Sequence, residues 1–139
     1  VKAHDDAGLE IDRSLIRDGD FSIGPGERET RVLMAHPDPP TAIFCASDRT
    51  AIGAYEALKS LGLRVPEDIS LVGFDDDPMA SVMTPPLSTV HVPHARMGEI
   101  ATDYLLARVA GTVSPTDFTV RILFVFFPLA SISSPPRRT

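Results

Sequence analysis

The sequence has one cysteine, Cys45, so the chain cannot form an internal disulfide bond. Nothing in its cysteine content therefore indicates an oxidising compartment, and Cys45, within an apolar run, is predicted to be a small buried hydrophobic residue. The longest apolar stretch, residues 122–130, includes Pro128 and is much shorter than the ~20 residues that span a bilayer. This stretch predicts a buried strand or an interface, and no membrane partner is expected.

Positive charge is also scarce. The 139 residues include 13 basic and 19 acidic side chains, and the net charge of −6 has the wrong sign for binding a phosphate backbone. We therefore expect that this chain alone does not bind DNA. The sequence lacks a glycine-rich phosphate loop, a nucleophile elbow and a convincing catalytic triad. No enzyme activity and no cofactor are expected.

The sequence does contain enough apolar material for a core, with 43% hydrophobic and 23% charged residues. Its 13 prolines fall mostly between predicted helices and strands, which is typical of the connections in an α/β fold and not of disorder. The length fits one domain or a piece of a larger one, and the first residues lack an initiator Met and the apolar core of a signal peptide. We therefore interpret the chain as the inside of a longer protein.

Strands and helices alternate along the sequence, which predicts a parallel α/β sheet. Residues 41–46 form a continuous apolar run, predicted to be a strand covered on both faces. Residues 48–61 have helical periodicity, with Asp48 as the predicted N-cap and Gly62 as the C-terminal stop. The other predicted elements are helices over 24–36 and 94–110, a helical turn over 79–83, strands over 69–74 and 87–92, and one or two strands within 118–127.

Polar residues follow three of the predicted strands: Ser47 and Asp48, the run Asp75 to Asp77, and the segment from Val92 to His94. Ligands of open parallel sheets bind outside the carboxyl ends of the strands. Because carboxylates accept hydrogen bonds from hydroxyl groups, a sugar or another polyol fits such an edge. The alternative is that Asp48 only caps a helix and the three aspartates form a solvated turn.

Metal binding is a further alternative for the same residues. Three consecutive aspartates could hold Mg²⁺ or Ca²⁺ and support a metal-assisted hydrolase, but no spaced ligand loop accompanies them. His91 and His94 have a spacing seen in zinc sites, yet a proline separates them and Cys45 is far away in the sequence. We therefore expect no metal.

Several consecutive motifs resemble the LacI/GalR family of bacterial transcriptional regulators. They are PTAIFCASD (40–48), AIGA (51–54), LGLRVPEDISLVGFDD (61–76), PPLSTV (85–90) and MG (97–98), with weaker agreement at GDFS (19–22). The match is strong over residues 40–111, weaker over 1–39, and poor over the tail 112–139. The role of residues 122–139 is left open.

The resemblance implies that residues 1–139 are the C-terminal lobe of a periplasmic-binding-protein-like domain, a three-layer α/β lobe with a parallel sheet. It implies a cytoplasmic homodimer and a small effector, usually a sugar or a nucleoside-like molecule, in the cleft. The DNA-binding helix-turn-helix and most of the N-terminal lobe would lie outside this chain. The alternative is a lobe of a secreted sugar-binding transport protein of the same fold, which the upstream sequence would distinguish.

The resemblance also implies site residues. Phe21 would stack on the effector ring, Asp75 would accept hydrogen bonds from its hydroxyls, and Ser47 stands where the family commonly has asparagine. Val92 and His94 would line the same cleft. Residues implied in the dimer contact, for which simple core packing is the alternative, are Ile52, Met79, Val82 and Met83.

Overall fold

The computed structural model describes residues 2–113 and 122–132, in which helices and short strands alternate. A 3₁₀ turn at Arg13–Leu15 precedes the first long helix. In chain order the elements are α1 (Lys2–Asp6), α2 (Ile23–Met34), β1 (Ala42–Phe44), α3 (Asp48–Ser60), β2 (Ser70–Val72), α4 (Pro78–Val82), β3 (Thr89–His91), α5 (His94–Val109) and β4 (Val125–Phe127). The predicted helices and strands are confirmed within the described residues, although residues 118–121 of the last prediction lie outside them.

The strands form two two-stranded pairs, β1 with β2 and β3 with β4, which isolated bridges join into one mixed sheet. β1 and β2 pair in parallel, with Ile43 opposite Leu71. Parallel bridges from Val72 to Ser88 and from Asp75 to His91 place β3 on the other side of β2. β4 pairs antiparallel with β3. The predicted parallel arrangement therefore holds for β1 to β3, and β4 departs from it.

The core lies between the sheet and α3. Leu58 of α3, Leu71 of β2 and Leu87, which precedes β3, are almost completely buried. The small residues Ala51 and Ala54 let α3 approach the sheet closely. Cys45 belongs to the same cluster and is 5% exposed, which confirms that it is a buried hydrophobic residue. Burial raises the pKa of its thiol to about 12, so it is not a nucleophile at neutral pH.

β1 is not covered on both faces, and that prediction is wrong. Ile43 is buried, but Phe44 is 64% exposed and Ala42 is also exposed. Successive side chains of a strand point to opposite faces, so Ile43 faces the core, whereas Ala42 and Phe44 face the other side of the sheet and are exposed among the described residues.

Two glycines allow α2 and α3 to cross at close range. A Cβ atom at Gly26 would overlap the backbone of Thr50, and one at Gly53 would overlap the backbone of Ile23. The contact is reciprocal, with one glycine on each helix. α2 therefore packs directly against α3, the helix that follows β1.

The tail is joined to the sheet by buried serines. Ser131 Oγ donates to the carbonyl oxygen of Leu71 at 2.7 Å and accepts from the backbone N–H of Ser88 at 2.7 Å. The carbonyl oxygen of Ser131 accepts from the Leu71 N–H at 2.9 Å. Residues 125–131 belong to the tail that matches the LacI/GalR motifs poorly, yet they pair with β3 and bond to Leu71 of β2.

α5 forms as predicted and is followed by Gly111, whose φ of +70° suits a helix end. None of its residues is buried in the described part of the chain, and Leu105, Leu106 and Val109 are all more than 60% exposed. Among residues 2–113 and 122–132, none of the helices combines the length and apolar composition that a membrane span requires.

Candidate functional site

The carboxyl ends of β1, β2 and β3 meet at one edge of the sheet. The Asp48 N–H donates to the Phe74 carbonyl oxygen at 2.8 Å, which joins the end of β1 to the end of β2. The Asp75 N–H donates to the Val90 carbonyl oxygen at 2.9 Å, which joins the end of β2 to β3. The polar residues that follow the three strands are therefore neighbours, as the sequence predicts.

Ser47 caps α3, so the prediction that Asp48 is the N-cap is wrong. Ser47 has extended backbone angles and its hydroxyl accepts from the Thr50 N–H at 3.2 Å, whereas Asp48 is already the first residue of the helix. Ser47 is 4% exposed, and its hydroxyl also lies 3.3 Å from the carbonyl oxygen of Phe21, to which it donates. Only a small part of Ser47 remains open to a ligand.

Phe21 projects an exposed ring at the same edge. Its φ is +63°, an unusual conformation for a bulky residue, and the Asp20 carboxylate holds it by accepting from the Ser22 N–H at 3.1 Å. The ring is 63% exposed, while the carbonyl oxygen bonds to Ser47. An exposed aromatic ring beside polar groups can stack on the C–H face of a sugar.

The loop after β2 carries three consecutive carboxylates at this edge. Asp75 has φ +116° and Asp76 has φ +59°, and both residues are partly or fully exposed. The Asp76 carboxylate lies 2.9 Å from Nδ1 of His91 on β3, and Asp77 caps α4 by accepting from the Met79 N–H at 2.8 Å. Asp76 and Asp77 thus have partners within the protein, and Asp75 is the carboxylate best placed to bind a ligand.

Val92 and His94 follow β3 at the same edge but differ in accessibility. Val92 is 7% exposed, and its N–H lies 3.5 Å from the Asp75 carbonyl oxygen. His94 is exposed as the first residue of α5, and its N–H donates to the Val92 carbonyl oxygen at 2.8 Å. Val92 packs beneath the edge, whereas His94 is open to solvent.

Asp48 is the most buried charged residue of the edge, with 0% exposure. Its carboxylate accepts from the Thr89 hydroxyl at 2.7 Å and from the Asp77 N–H at 2.7 Å. Burial raises the pKa of the Asp48 carboxyl, and the hydrogen bonds from Thr89 and Asp77 oppose that rise. The sequence alone did not identify Thr89, because an isolated threonine in a strand gives no signal that it bonds to an aspartate 41 residues away.

A second concave feature lies along the open side of β1. This β1 cleft has a volume of about 520 Å³ and is lined mainly by apolar groups, among them Leu33, Ile43 and Phe44. Of the predicted site residues only Phe21 lines it. Ser47, Asp75, Val92 and His94 lie outside the β1 cleft, so the carboxyl edge and the cleft are two different features that share Phe21.

The metal alternatives gain no support from the geometry. Within the described ranges, no three His, Cys, Asp or Glu side chains group closely enough to hold a metal ion. His91 pairs with Asp76 and has an edge contact with Phe127, with ring centroids 6.1 Å apart. His94 begins the next helix, so the two histidines have different surroundings.

The residues expected at a dimer contact differ in exposure. Met79 is 53% and Val82 67% exposed on α4, whereas Ile52 and Met83 are partly buried and Met83 packs against the core. Met79 and Val82 form an apolar surface that core packing does not use.

Comparison with known proteins identifies similar domains. The model of the periplasmic binding protein-like domain matches residues 2–123. The ribose operon repressor of Escherichia coli (strain K12) is 44% identical over 103 residues, which are 74% of this chain and 31% of the repressor. The chain thus spans about a third of the length of that curated relative.

Solved structures agree with this result. A LacI transcriptional regulator of Bacillus cereus subsp. cytotoxis superimposes with a TM-score of 0.90 at 30% identity, over 95% of this chain and 46% of that one. A LacI family regulator of Enterococcus faecium with bound ribose gives a TM-score of 0.83 at 26% identity, over 98% of this chain and 49% of that one. The lac repressor dimer bound to operator gives 0.85 at 28% identity, over 96% and 45%.

Proposed function

The chain belongs to the periplasmic binding protein-like family, in the form found in LacI/GalR regulators, and we propose that it is the effector-sensing and dimerising lobe of a transcriptional regulator. Residues 1–139 would act as the C-terminal lobe, with the other half of the effector site and the DNA-binding helix-turn-helix contributed by further sequence. The net charge of −6 fits a lobe that senses a ligand and leaves DNA binding to another segment. Such a lobe is cytoplasmic and catalyses no reaction.

One observation carries the proposal: Phe21, Ser47, Asp75, Val92 and His94 lie at the joined carboxyl ends of three parallel strands. The Asp75 carboxylate would accept hydrogen bonds from effector hydroxyls, and the Phe21 ring would stack on an apolar face of the same molecule. His94 would contribute a polar contact at the rim. Ser47 and Val92 are mostly buried, so they would shape the floor of the site more than bind the effector directly.

The effector class we propose is a sugar. A ribose operon repressor is among the relatives, and a LacI family neighbour was solved with bound ribose. The edge carries a partly exposed carboxylate, Asp75, and an exposed aromatic ring, Phe21. This chemistry suits a polyhydroxylated ring better than an anion, which Asp75 and its neighbours would repel. D-Ribose is therefore the first probe to use, and cellobiose the second because of a neighbouring cellobiose complex.

Dimerisation belongs to the same proposal. Met79 and Val82 expose an apolar patch on α4, and Ile52 and Met83 lie partly buried. A structure neighbour is described as a repressor dimer bound to operator. Pairing of two copies through this patch would remove Met79 and Val82 from water, which stabilises association by about 25 cal/mol per Å² of apolar surface.

Asp75→Ala tests the site. We expect D-ribose or cellobiose to raise the melting temperature of a wild-type protein that contains this lobe together with the other lobe of the effector site, because a ligand at about 100 times its Kd stabilises the folded state by about 2.7 kcal/mol. In Asp75→Ala the shift disappears while the circular dichroism spectrum is unchanged. The control is Glu56→Ala, which removes an exposed carboxylate on α3 and keeps the shift. A sugar-dependent shift that survives Asp75→Ala would contradict the site.

A further inference from the structure

The backbone that carries Asp75 has an unfavourable conformation. Asp75 and Asp76 both have positive φ values, +116° and +59°, and neither is glycine. Residues held in such regions are strained and persist only where the surroundings fix them. The conformation of residues 75–77 therefore requires specific restraints from neighbouring elements.

Three backbone N–H groups provide those restraints. The Asp75 N–H bonds to the Val90 carbonyl oxygen at 2.9 Å, as an extension of the sheet. The Asp76 N–H donates to the Thr89 hydroxyl oxygen at 3.3 Å, and the Asp77 N–H donates to the Asp48 carboxylate at 2.7 Å. Two of the three restraints thus come from side chains, one on α3 and one on β3.

The two side chains are themselves bonded. The Thr89 hydroxyl donates to Oδ1 of Asp48 at 2.7 Å, so Thr89 uses its hydrogen toward Asp48 and its lone pair toward Asp76. Both residues have 0% exposure, which makes each lost bond more costly than at the surface. Gly73 leaves the space for this arrangement, because a Cβ there would overlap the Asp48 carboxylate.

We propose that Asp48 and Thr89 form a buried clamp that fixes the backbone of residues 75–77 and thereby positions the Asp75 carboxylate for the effector. Both are positioning residues, and neither contacts the effector. The inference rests on the proposed function in that it takes Asp75 as an effector-binding group. It assigns to two buried residues, Asp48 and Thr89, an indirect role in ligand binding, because they position the Asp75 carboxylate in addition to stabilising the fold.

Thr89→Val and Thr89→Ser form a matched pair of variants. Valine keeps the shape of threonine and removes the hydroxyl, whereas serine keeps the hydroxyl and removes a methyl group. We expect Thr89→Val to increase the hydrogen-exchange rates of the Asp76 and Asp77 amides and the Kd for D-ribose by about tenfold each. Thr89→Ser restores both values to within about threefold of the wild type. Asp48→Asn, with one acceptor oxygen instead of two, gives a smaller loss of the same kind and serves if Thr89→Val does not fold.

Ser131→Ala is the control for a merely structural effect. It removes a buried hydroxyl that bonds to Leu71 and to Ser88, outside residues 75–77, and it lowers the stability of the fold. At matched stability, Ser131→Ala leaves the Kd for D-ribose and the exchange of the Asp77 amide unchanged if the clamp acts as proposed. An equal loss of ribose affinity in Ser131→Ala and Thr89→Val would overturn the positioning role.

The two proposals fail in different ways. If a wild-type protein that contains this lobe together with the other lobe of the effector site binds neither D-ribose nor cellobiose, the proposed function is contradicted, and the clamp loses its role in ligand binding with it. If the wild type binds D-ribose and Thr89→Val changes neither the amide exchange nor the Kd, the clamp alone is overturned.

Discussion

Asp68 and Arg64 close the loop that leads from α3 to β2. The Asp68 carboxylate accepts from the Arg64 Nε at 2.9 Å, from its Nη2 at 3.0 Å and from its backbone N–H at 2.9 Å. The hydrogen bonds from the Arg64 side chain and backbone lower the pKa of Asp68 to about 2, from an ordinary value of 3.8. Since both residues occur in the motif LGLRVPEDISLVGFDD, this motif has a structural role in addition to its similarity to the family.

The lowered pKa of Asp68 gives a prediction for acid stability. A carboxyl whose folded pKa is depressed stabilises the folded state above its unfolded pKa, and that contribution is lost as the pH falls from about 4 toward about 2. Asp68→Asn should therefore be less stable than the wild type at pH 6, and the difference should narrow as the pH falls through this range. Urea unfolding curves at pH 6, 4 and 3 measure it, with Glu56→Gln as the control. A difference that stays constant with pH would refute the assignment.

At the scale of residues, the sequence predicted which polar residues lie at the carboxyl edge, but it did not predict their hydrogen-bond partners. The positions of Ser47, Asp75 and His94 after strands predicted one common edge, because parallel strands end at the same side of a sheet. The sequence could not show that Ser47 and not Asp48 is the N-cap of α3, since serine and aspartate are both good N-cap residues. The choice depends on Thr89 and on the Asp77 N–H, which only the tertiary structure brings to Asp48.

At the scale of elements, the crossing of α2 and α3 depends on glycine. Gly53→Ala would place a methyl group against the backbone of Ile23, so the two helices would have to separate. Overpacking of this kind costs about 1–3 kcal/mol, and a backbone neighbour cannot move aside as a side chain can. We expect a clear fall in the free energy of unfolding, measured by urea denaturation.

Gly98→Ala is the matched control for Gly53→Ala. Gly98 lies within α5, and a Cβ there would have no neighbour within 4 Å. Alanine has the higher helix propensity, so the exchange should stabilise the chain by about 0.5–1 kcal/mol. Replacing glycine by alanine should thus lower the free energy of unfolding at Gly53 in α3 and raise it at Gly98 in α5. Equal effects at both positions would show that helix propensity, and not the close approach of α2 and α3, determines the result.

Helices were predictable where an apolar stripe and a C-terminal glycine coincide, as in α3 before Gly62 and α5 before Gly111. Strand neighbours were not predictable. The exposure of Phe44 depends on what covers its face of β1, and the antiparallel pairing of β4 depends on which strand lies beside it. An apolar run indicates a strand but identifies neither of these neighbours. The buried hydroxyl of Ser131, which links the tail to Leu71 and Ser88, has no counterpart in hydrophobic periodicity.

At the scale of the whole molecule, apolar surface remains uncovered in the described residues. Leu105, Leu106 and Val109 of α5 and the strand β4 are exposed, as is Phe44 beside the β1 cleft. The chain also spans about half of the solved structures it matches. The fold class followed from alternating elements and family motifs, whereas exposure on this scale depends on what packs against the lobe and could not follow from its sequence.

The central claim is that a sugar binds at the carboxyl edge of the sheet. Backbone amide NMR spectra of a protein that contains this lobe together with the other lobe of the effector site, recorded during a titration with D-ribose and separately with cellobiose, test it most directly. We expect one of these sugars to shift the amide signals of Ser47, Asp75 and Asp76, with Leu71 in the core unchanged. Shifts confined to Leu33, Ile43 and Phe44 of the β1 cleft, or no shift with either sugar at high concentration, would contradict the claim.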